Sequence, residues 1–578
     1  MTTPNLLQRK RLGKIAVGIG AVLLLAVLGI RVKDSMQAGA ISGVPAARPT
    51  MPADRWIGPK ITPEEYLSSN TGLYVLDAQG ILATLYRDRA EQTDARKEYN
   101  PAFIANYAIS ACRSYVKTRD EKALETFRKQ LDWLLAHGEN RTLGDIAARL
   151  YPYTFDWVKF DLKAPWVSGF AQSLIGVAFA CGADATGEDK YRQGAVAAFS
   201  ALRIPVSNGG VATFSKDGAW FEEAAKQNFP SIKILNGHLT AAEGLKNFID
   251  WQPNPVFREL WEKGALAVAE NIAEFDSEYM SYYAQYPVER KDSWELSGRI
   301  GYNALHSIQL TSLYAETGNP IFLEYALRFA AYETPDLLVT TAGATAPDTN
   351  GPDRINMVLG NDYWSHGTFP TWVKIDLGDI YRVRGLHLVA HTDASAPRAY
   401  AIATSLDDRS YKNAVGRSDN VATRITEKWP EKKARYIRIN IDSDNGNQNV
   451  TLKGVYPIRK EAYGAVVATP ESMTVRNMPA LGLSENGWSA PAKGWIAFRR
   501  DAIPRFVKRV EFSPAIEGKV SVRSSQSLDD LPASPAMEFS CRKAEEKCVL
   551  DLTRVQGGFV HVAWEMPGAV KPLVLRLR

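Results

Sequence analysis

Only four cysteines and seven histidines occur in the 578 residues, and no Cys/His set has the spacing of a zinc site. Low-complexity runs are also missing. A composition of 45% hydrophobic and 10% aromatic residues is that of a folded globular protein. Charge of one sign is scarce: the formal net charge is +5, with no dense Lys/Arg block outside the N-terminus. The balance by itself selects no charged partner, and no nucleic acid is expected. The length suggests about three or four domains.

What is present begins at the N-terminus. Ile15 to Ile30 is a stretch of 16 residues without a charge, preceded by Arg9, Lys10, Arg11 and Lys14 and followed by Arg31, Lys33 and Asp34. It is short for a membrane span, but Lys14 and Arg31 can snorkel outward. The heavier positive flank is N-terminal, which predicts a single-pass inner (plasma) membrane anchor. The N-terminus then stays in the cytoplasm and the body lies on the periplasmic or extracellular side. Ala38-Gly39-Ala40 also fits a signal-peptidase site, so a cleaved signal is the alternative. The anchor is preferred because the apolar run is long for a signal core. Export suits Cys541 and Cys548, which flank RKAEEK and read as a disulfide closing a hairpin. Cys112 and Cys181 lie in apolar helical patterns and read as buried thiols.

Residues 1–33 are thus the cytoplasmic tail and anchor, and 34–59, rich in Gly, Ala and Pro, a linker. From 60 to 333 apolar residues recur at three and four. Helix starts fall at Asn100, Ser168, Asn236 and Tyr302, spaced 68, 68 and 66 residues apart, each followed by a turn and a second helix. Such a repeat predicts an α/α toroid-like domain whose inner helices point their N-termini at one mouth. Free N–H groups and the helix dipole suit such a mouth to anions such as carboxylates. An ordinary helical array that binds a protein is the plainer alternative. The loops before the starts carry Trp166; Trp220, Glu222 and Glu223; and Tyr282, Tyr283 and Trp294, which favours a sugar-binding mouth.

The stretch from Ser297 to Leu310 stands out. Tyr302 and His306 are four apart and share a helix face, with Arg299 just upstream. A cation, a phenol and an imidazole there form a chemical grouping; the same spacing also fits a helix start with one packed aromatic and one buried histidine. Beyond 335 the texture changes to short alternating runs. WVKIDLG, RGLHLVA, YAIATS and ARYIRINI mark an antiparallel β-sandwich over 335–457. GWIAFRR, VKRVEFS, KVSVRSS, GFVHVAW and LVLRLR mark a second C-terminal β domain over 459–578.

PWVSGFAQS (165–173), NGGVATF (208–214), WFEE (220–223), ILNGHLTAAEGL (234–245) and the stretch through Tyr302, His306 and ETGNPIFLEYALRF occur in order. With these pieces the helical part resembles the C-terminal catalytic domain of D-glucuronyl C5-epimerases, which invert C5 of uronic acids within polysaccharides. The β-rich front part such enzymes often carry is not evident. NDYWSHG, PTWVKIDLG, YAIATSLDDRSY and ARYIRI make 335–457 resemble a discoidin, or coagulation-factor type C, domain. That resemblance implies a jelly-roll sandwich that binds sugars or cell surfaces, often with a structural calcium, for which Asp362 is a candidate ligand.

Epimerisation at C5 needs a base on one face of the sugar, an acid on the other, and positive charge on the carboxylate. The resemblance implies Tyr302, Tyr283, Glu222 and Glu223 as catalytic residues and Arg299 and His306 as substrate-binding residues; Trp166 and Trp220 in the loops and Asn236 at a helix start are further expected substrate-binding residues, and no cofactor is expected for catalysis. One departure matters: the family tyrosine after the acidic pair is Ala224 here. The expected function is a membrane-anchored, exported C5-epimerase acting on a uronic-acid-containing polysaccharide. A lyase or glycoside hydrolase on the same fold and a non-catalytic polysaccharide-binding subunit are the alternatives.

Overall fold

The computed structural model describes residues 51–69, 72–86, 96–287, 289, 294–297, 302–332, 338–341, 364–459, 466–468, 488–490, 492–499, 507–513, 517–527, 530–541, 547–566 and 573–577. The apolar run Ile15–Ile30, Arg299 and Asp362 lie outside them. Among the described residues no helix is long and apolar enough to cross a membrane.

The first half is built from four helical hairpins. After a short helix α1 (Pro63–Ser68) come α2 (Pro101–Thr118) with α3 (Glu121–His137), α4 (Gly169–Thr186) with α5 (Asp189–Ser200), α6 (Leu235–Trp251) with α7 (Pro255–Asn271), and α8 (Ala304–Thr317) with α9 (Pro320–Tyr332). The first helix of each hairpin packs on that of the next, α2 on α4, α4 on α6 and α6 on α8. Local chemistry sets the starts. Asn100 Oδ1 accepts from the amides of Ala102 and Phe103 ahead of Pro101, and Ser168 Oγ accepts from Ala171 N. The central α4 is buried on all sides from Gly169 through Ala183 except at Phe170, because it has an inner helix on either flank and its own partner behind.

Each inner helix is preceded by a small antiparallel element that the helical periodicity hid. These are β1 (Tyr74–Leu76), β2 (Leu82–Tyr86) and β3 (Arg96–Glu98) before α2; β4 (Glu139–Leu143) and β5 (Ile146–Leu150) before α4; β6 (Ala212–Phe214) and β7 (Ala219–Phe221) before α6; and β8 (Tyr282–Ala284) and β9 (Glu295–Leu296) before α8. The repeating unit is therefore a hairpin of helices followed by a hairpin of strands.

Two expectations about the helical half change. Residues 51–59, read from sequence as the end of a tether, pack on the helical core: Trp56 is 1% exposed, its carbonyl accepts from Arg113, and Ile57 N donates to Asn247 Oδ1. Cys112 and Cys181 are not thiols but a disulfide, with Cα atoms 6.4 Å apart. The repeat explains it. The two residues are 69 apart, one period, so they occupy matching places on α2 and α4 and meet where those helices pack.

The sandwich is a seven-stranded antiparallel assembly of β10 (Leu338–Thr341), β11 (Trp364–His366), β12 (Thr371–Ala390), β13 (Pro397–Ser405), β14 (Lys412–Arg417), β15 (Arg424–Asp444) and β16 (Val450–Arg459). The runs WVKIDLG and RGLHLVA are the two halves of β12, whose pairing with β15 shifts register between Asp376 and Tyr381. Alternation sends Val373, Ile375, Ile437 and Ile439 inward, all fully buried.

The last domain comprises β17 (Val466–Ala468), β18 (Trp488–Ala490), β19 (Lys493–Arg499), β20 (Arg509–Ser513), β21 (Gly518–Ser525), β22 (Met537–Cys541), β23 (Cys548–Asp551), β24 (Phe559–Glu565) and β25 (Leu573–Leu577). They form a sheet of five, β17-β19-β24-β21-β22, and a sheet of four, β18-β25-β20-β23. Cys541 and Cys548 are bonded as expected, yet they close no hairpin: the bond ties the edge strand of one sheet to the edge strand of the other.

Both β domains lean on the helices. Trp495 of β19 meets Tyr314 of α8 edge to face at 5.7 Å. Tyr456 of the sandwich stacks on Tyr279 and His387 meets it at a tilt, Lys428 pairs with Glu278, and Arg424 donates to the carbonyl of Trp294.

Candidate active site

The loops that open onto the inner-helix N-termini are stitched side by side. Tyr153 pairs with Trp166, Val167 with Ala225, and Ile234 with Ala284, each as an antiparallel bridge. Gly169 N at the start of α4 donates to Glu222 O. Segments from three different repeats are thereby held in one wall, and the side chains they carry converge.

Glu223 is central to the group. It follows β7, whose end is fixed by the buried His238 on the first turn of α6: His238 Nδ1 accepts from Phe221 N at 2.8 Å, and Nε2 bonds Gly264 O at 3.1 Å. Burial holds that imidazole neutral, down at about 4. The Glu223 carboxylate lies against Gly237; a Cβ built there would stand 2.1 Å from Oε2, so only glycine admits it. Oε2 is buried with no hydrogen-bond partner among the described residues. Desolvation pushes the Glu223 carboxyl up to about 8, against a lowering pull from Lys159.

Three phenols lie within electrostatic range of this carboxylate. Tyr283, on β8, is buried, and its ring lies 4.7 Å from that of Tyr302. Burial first, then Glu223, Tyr302 and Glu295, raise the Tyr283 phenol far above its usual range. Tyr302 is 43% exposed at the entrance, and burial of its inner part together with Glu223, Glu295 and Tyr74 raises it as well. Tyr153 is raised by burial and by Tyr86 and Glu223. It donates to Asn100 Oδ1 at 3.1 Å and stacks on Trp166 at 3.8 Å. Asn100 Nδ2 in turn donates to Tyr86 Oη. Lys159 completes the set: its Nζ sits 5.0 Å above the Tyr283 ring and pairs with Glu295.

The fold separates the expected residues. Tyr283, Tyr302 and Glu223 come together. Asn236 is beside them on the first turn of α6, 5% exposed, its Oδ1 without a partner among the described residues. Trp166 backs Tyr153 and spends its indole N–H on Phe155 O, so it supports the wall. Trp220 is stacked between His238 and Phe275 in the core. Glu222 is 1% exposed and takes hydrogen bonds from Thr213, Ser231 and the amide of Lys233; it ties loops together behind the cleft. His306 is fully buried and bonds Ser281 Oγ through Nδ1, and Ser281 N donates to Asn303 Oδ1. Its imidazole, driven down to about 3 by burial, anchors the strand that carries Tyr283. Sequence reading missed Lys159, Tyr153, His238 and Glu295. Only Gly237, placed two residues into a helix, hinted at a close approach.

A row of helix N-termini, clustered phenols, an unpartnered carboxyl and a cation make a site that can move a proton on an anionic substrate. Such a helical domain followed by β-sandwiches defines the class of the chain. Its relatives agree in order: residues 144–331 match the family "D-glucuronyl C5-epimerase C-terminus", and residues 340–454 match the F5/8 type C domain. An uncharacterized protein of Methanocaldococcus jannaschii is 25% identical over 242 residues, spanning 39% of this chain and 75% of that one. Among solved structures, a module from Clostridium perfringens in complex with GalNAc-beta-1,3-galactose aligns at 12% identity over 21% of this chain and 94% of its own, with a TM-score of 0.19. A pectin-binding carbohydrate-binding module aligns at 16% identity over 21% and 87%, also with a TM-score of 0.19. Among the described residues no group of three or more His, Cys, Asp or Glu side chains is placed to hold a metal ion.

Proposed function

We propose that the chain is a uronic-acid C5-epimerase acting on a polysaccharide, with the sandwich as a carbohydrate-binding module. The clustering of Tyr283 and Tyr302, their rings 4.7 Å apart, within the field of Glu223 supports this reading. Glu223 is the best proton acceptor of the three, because its carboxyl sits near neutrality while both phenols are held protonated. The Glu223 carboxylate removes the C5 proton, and the C–H pair flows into the sugar carboxylate to give an enediolate. The partly exposed Tyr302 returns a proton to the opposite face; solvent then reprotonates Tyr302 and takes up the proton held by Glu223, which restores both groups. Ala224, where the family has a tyrosine, is 2% exposed and leaves this division of labour to Glu223 and the remaining phenols.

We further propose that the body is exported and tethered by the N-terminal apolar run. Two disulfides support an oxidising compartment. A calcium ion bound by the sandwich, with Asp362 among its ligands, stays part of the proposal. The test is deuterium incorporation at C5 by NMR, with uronic-acid polysaccharides in deuterated water. Exchange with inverted C5 supports the epimerase. An unsaturated product identifies a lyase instead, and binding without exchange on any polymer points to a binding subunit. Tyr302→Phe is expected to lose inversion at C5 and keep binding.

A further inference from the structure

Arg299, the cation expected for the substrate carboxylate, lies outside the described residues, and the cleft has another. Lys159 stands on the loop between Trp157 and Leu162, which closes on itself through paired backbone hydrogen bonds. The loop belongs to the segment leading into α4, whereas Glu295 belongs to the β8–β9 hairpin leading into α8. Their ion pair joins positions 136 residues apart in the sequence. The Lys159 side chain is 48% exposed and that of Glu295 36%. Beneath the ammonium lies the Tyr283 ring at 5.0 Å, and its field is felt at Glu223.

We propose that Lys159 is the group that recognises the carboxylate of a uronate sugar, exchanging Glu295 for that carboxylate on binding. The inference rests on the epimerase reading for its substrate class. Three observations favour it. An ion pair this exposed is weak, so a substrate carboxylate can displace Glu295 at small cost. The cation lies over Tyr283 and within electrostatic range of Glu223, so a carboxylate bound to it sets the adjacent C5 against the proton-transfer groups. A cation on the carboxylate also stabilises the enediolate that forms there. Glu295 on this view is a specificity element: it holds Lys159 in place and disfavours ligands that bring no negative charge of their own.

The experiment uses the full chain and two probes, oligomers of glucuronate and the corresponding neutral oligoglucosides. Binding is followed by NMR titration and exchange by deuterium at C5. Wild-type protein is expected to prefer the glucuronate oligomer, and to lose that preference with added salt. Lys159→Met is expected to weaken glucuronate binding about tenfold or more, the loss of one charge-assisted contact, and to leave oligoglucoside binding unchanged. Lys159→Arg is expected to restore most of the preference, and Glu295→Gln to tighten glucuronate binding. Equal loss of both probes in Lys159→Met would overturn the proposal, since that is a collapsed wall. Unchanged glucuronate binding in that variant would overturn it too, as would wild-type protein that shows no preference. Selective binding with no C5 exchange leaves the Lys159 assignment standing and refutes only the epimerase reading.

Discussion

Glu223→Gln separates stability from chemistry, and the buried carboxyl sets the size of the effect. Its pKa is raised from 4.5 to about 8, chiefly by desolvation. The sign follows from proton uptake. Below about 4.5 folded and unfolded chains both hold the proton, and the site costs nothing. Between 4.5 and about 8 the unfolded chain releases it while the folded site retains it, so stability falls as pH rises. The slope is at most about 1.4 kcal/mol per pH unit, which over this window accumulates to roughly 4 kcal/mol. Above about 8 the penalty is constant. Glutamine fills the same space beside Gly237 and never ionises. The variant should therefore gain on wild type steadily from pH 5 to pH 8 in denaturant or thermal unfolding followed on the helical domain, while C5 exchange disappears. Wild-type kcat/KM should rise over the same range as the carboxylate forms. A stability difference that stays flat between pH 5 and pH 8 would refute the premise that the carboxyl is desolvated.

Other outcomes follow from the same structure. His306 and His238 are held neutral by burial, near 3 and 4, so below pH 6.5 the unfolded chain takes up protons that the folded one refuses; stability should fall as pH drops toward 4, and thermal scans should show that fall reduced in His306→Asn. Removing the Cys112–Cys181 bond with paired alanines frees a loop of 69 residues' separation, and should cost about 4 kcal/mol, read as a lower denaturation midpoint of the helical domain. Arg424 in the sandwich grips the carbonyl of Trp294 beside the hairpin that carries Tyr283; Arg424→Ala should slow C5 exchange with little change in the melting of the sandwich itself.

Much of the architecture was legible in one dimension. The period near 68 residues announced the helical hairpins, because stacking repeats must present the same apolar face at the same interval. Alternation marked the strands of the sandwich, since side-chain direction in a strand has period two. Motif order pointed to the family of the helical part. The strand hairpins before each inner helix were not legible, being only two to five residues long and lacking a period of their own. The Cys112–Cys181 bond was within reach, since one repeat length separates the pair, but apolar surroundings alone suggest thiols.

The site shows the same division. Sequence by itself determined which residue types are available: the tyrosines near 283 and 302, the acidic pair at 222 and 223, the aromatics ahead of each helix. It could not tell Glu222 from Glu223. Neighbours along the chain point to opposite sides, and tertiary structure gave Glu222 three hydrogen-bond donors while leaving Glu223 Oε2 buried against Gly237 with none. Nor could it bring Lys159 to Tyr283 and Glu295, across more than a hundred residues, because that meeting depends on how successive repeats turn about one mouth. Charge, burial and distance decide what a carboxyl or an ammonium does, and those quantities exist only once the chain has folded.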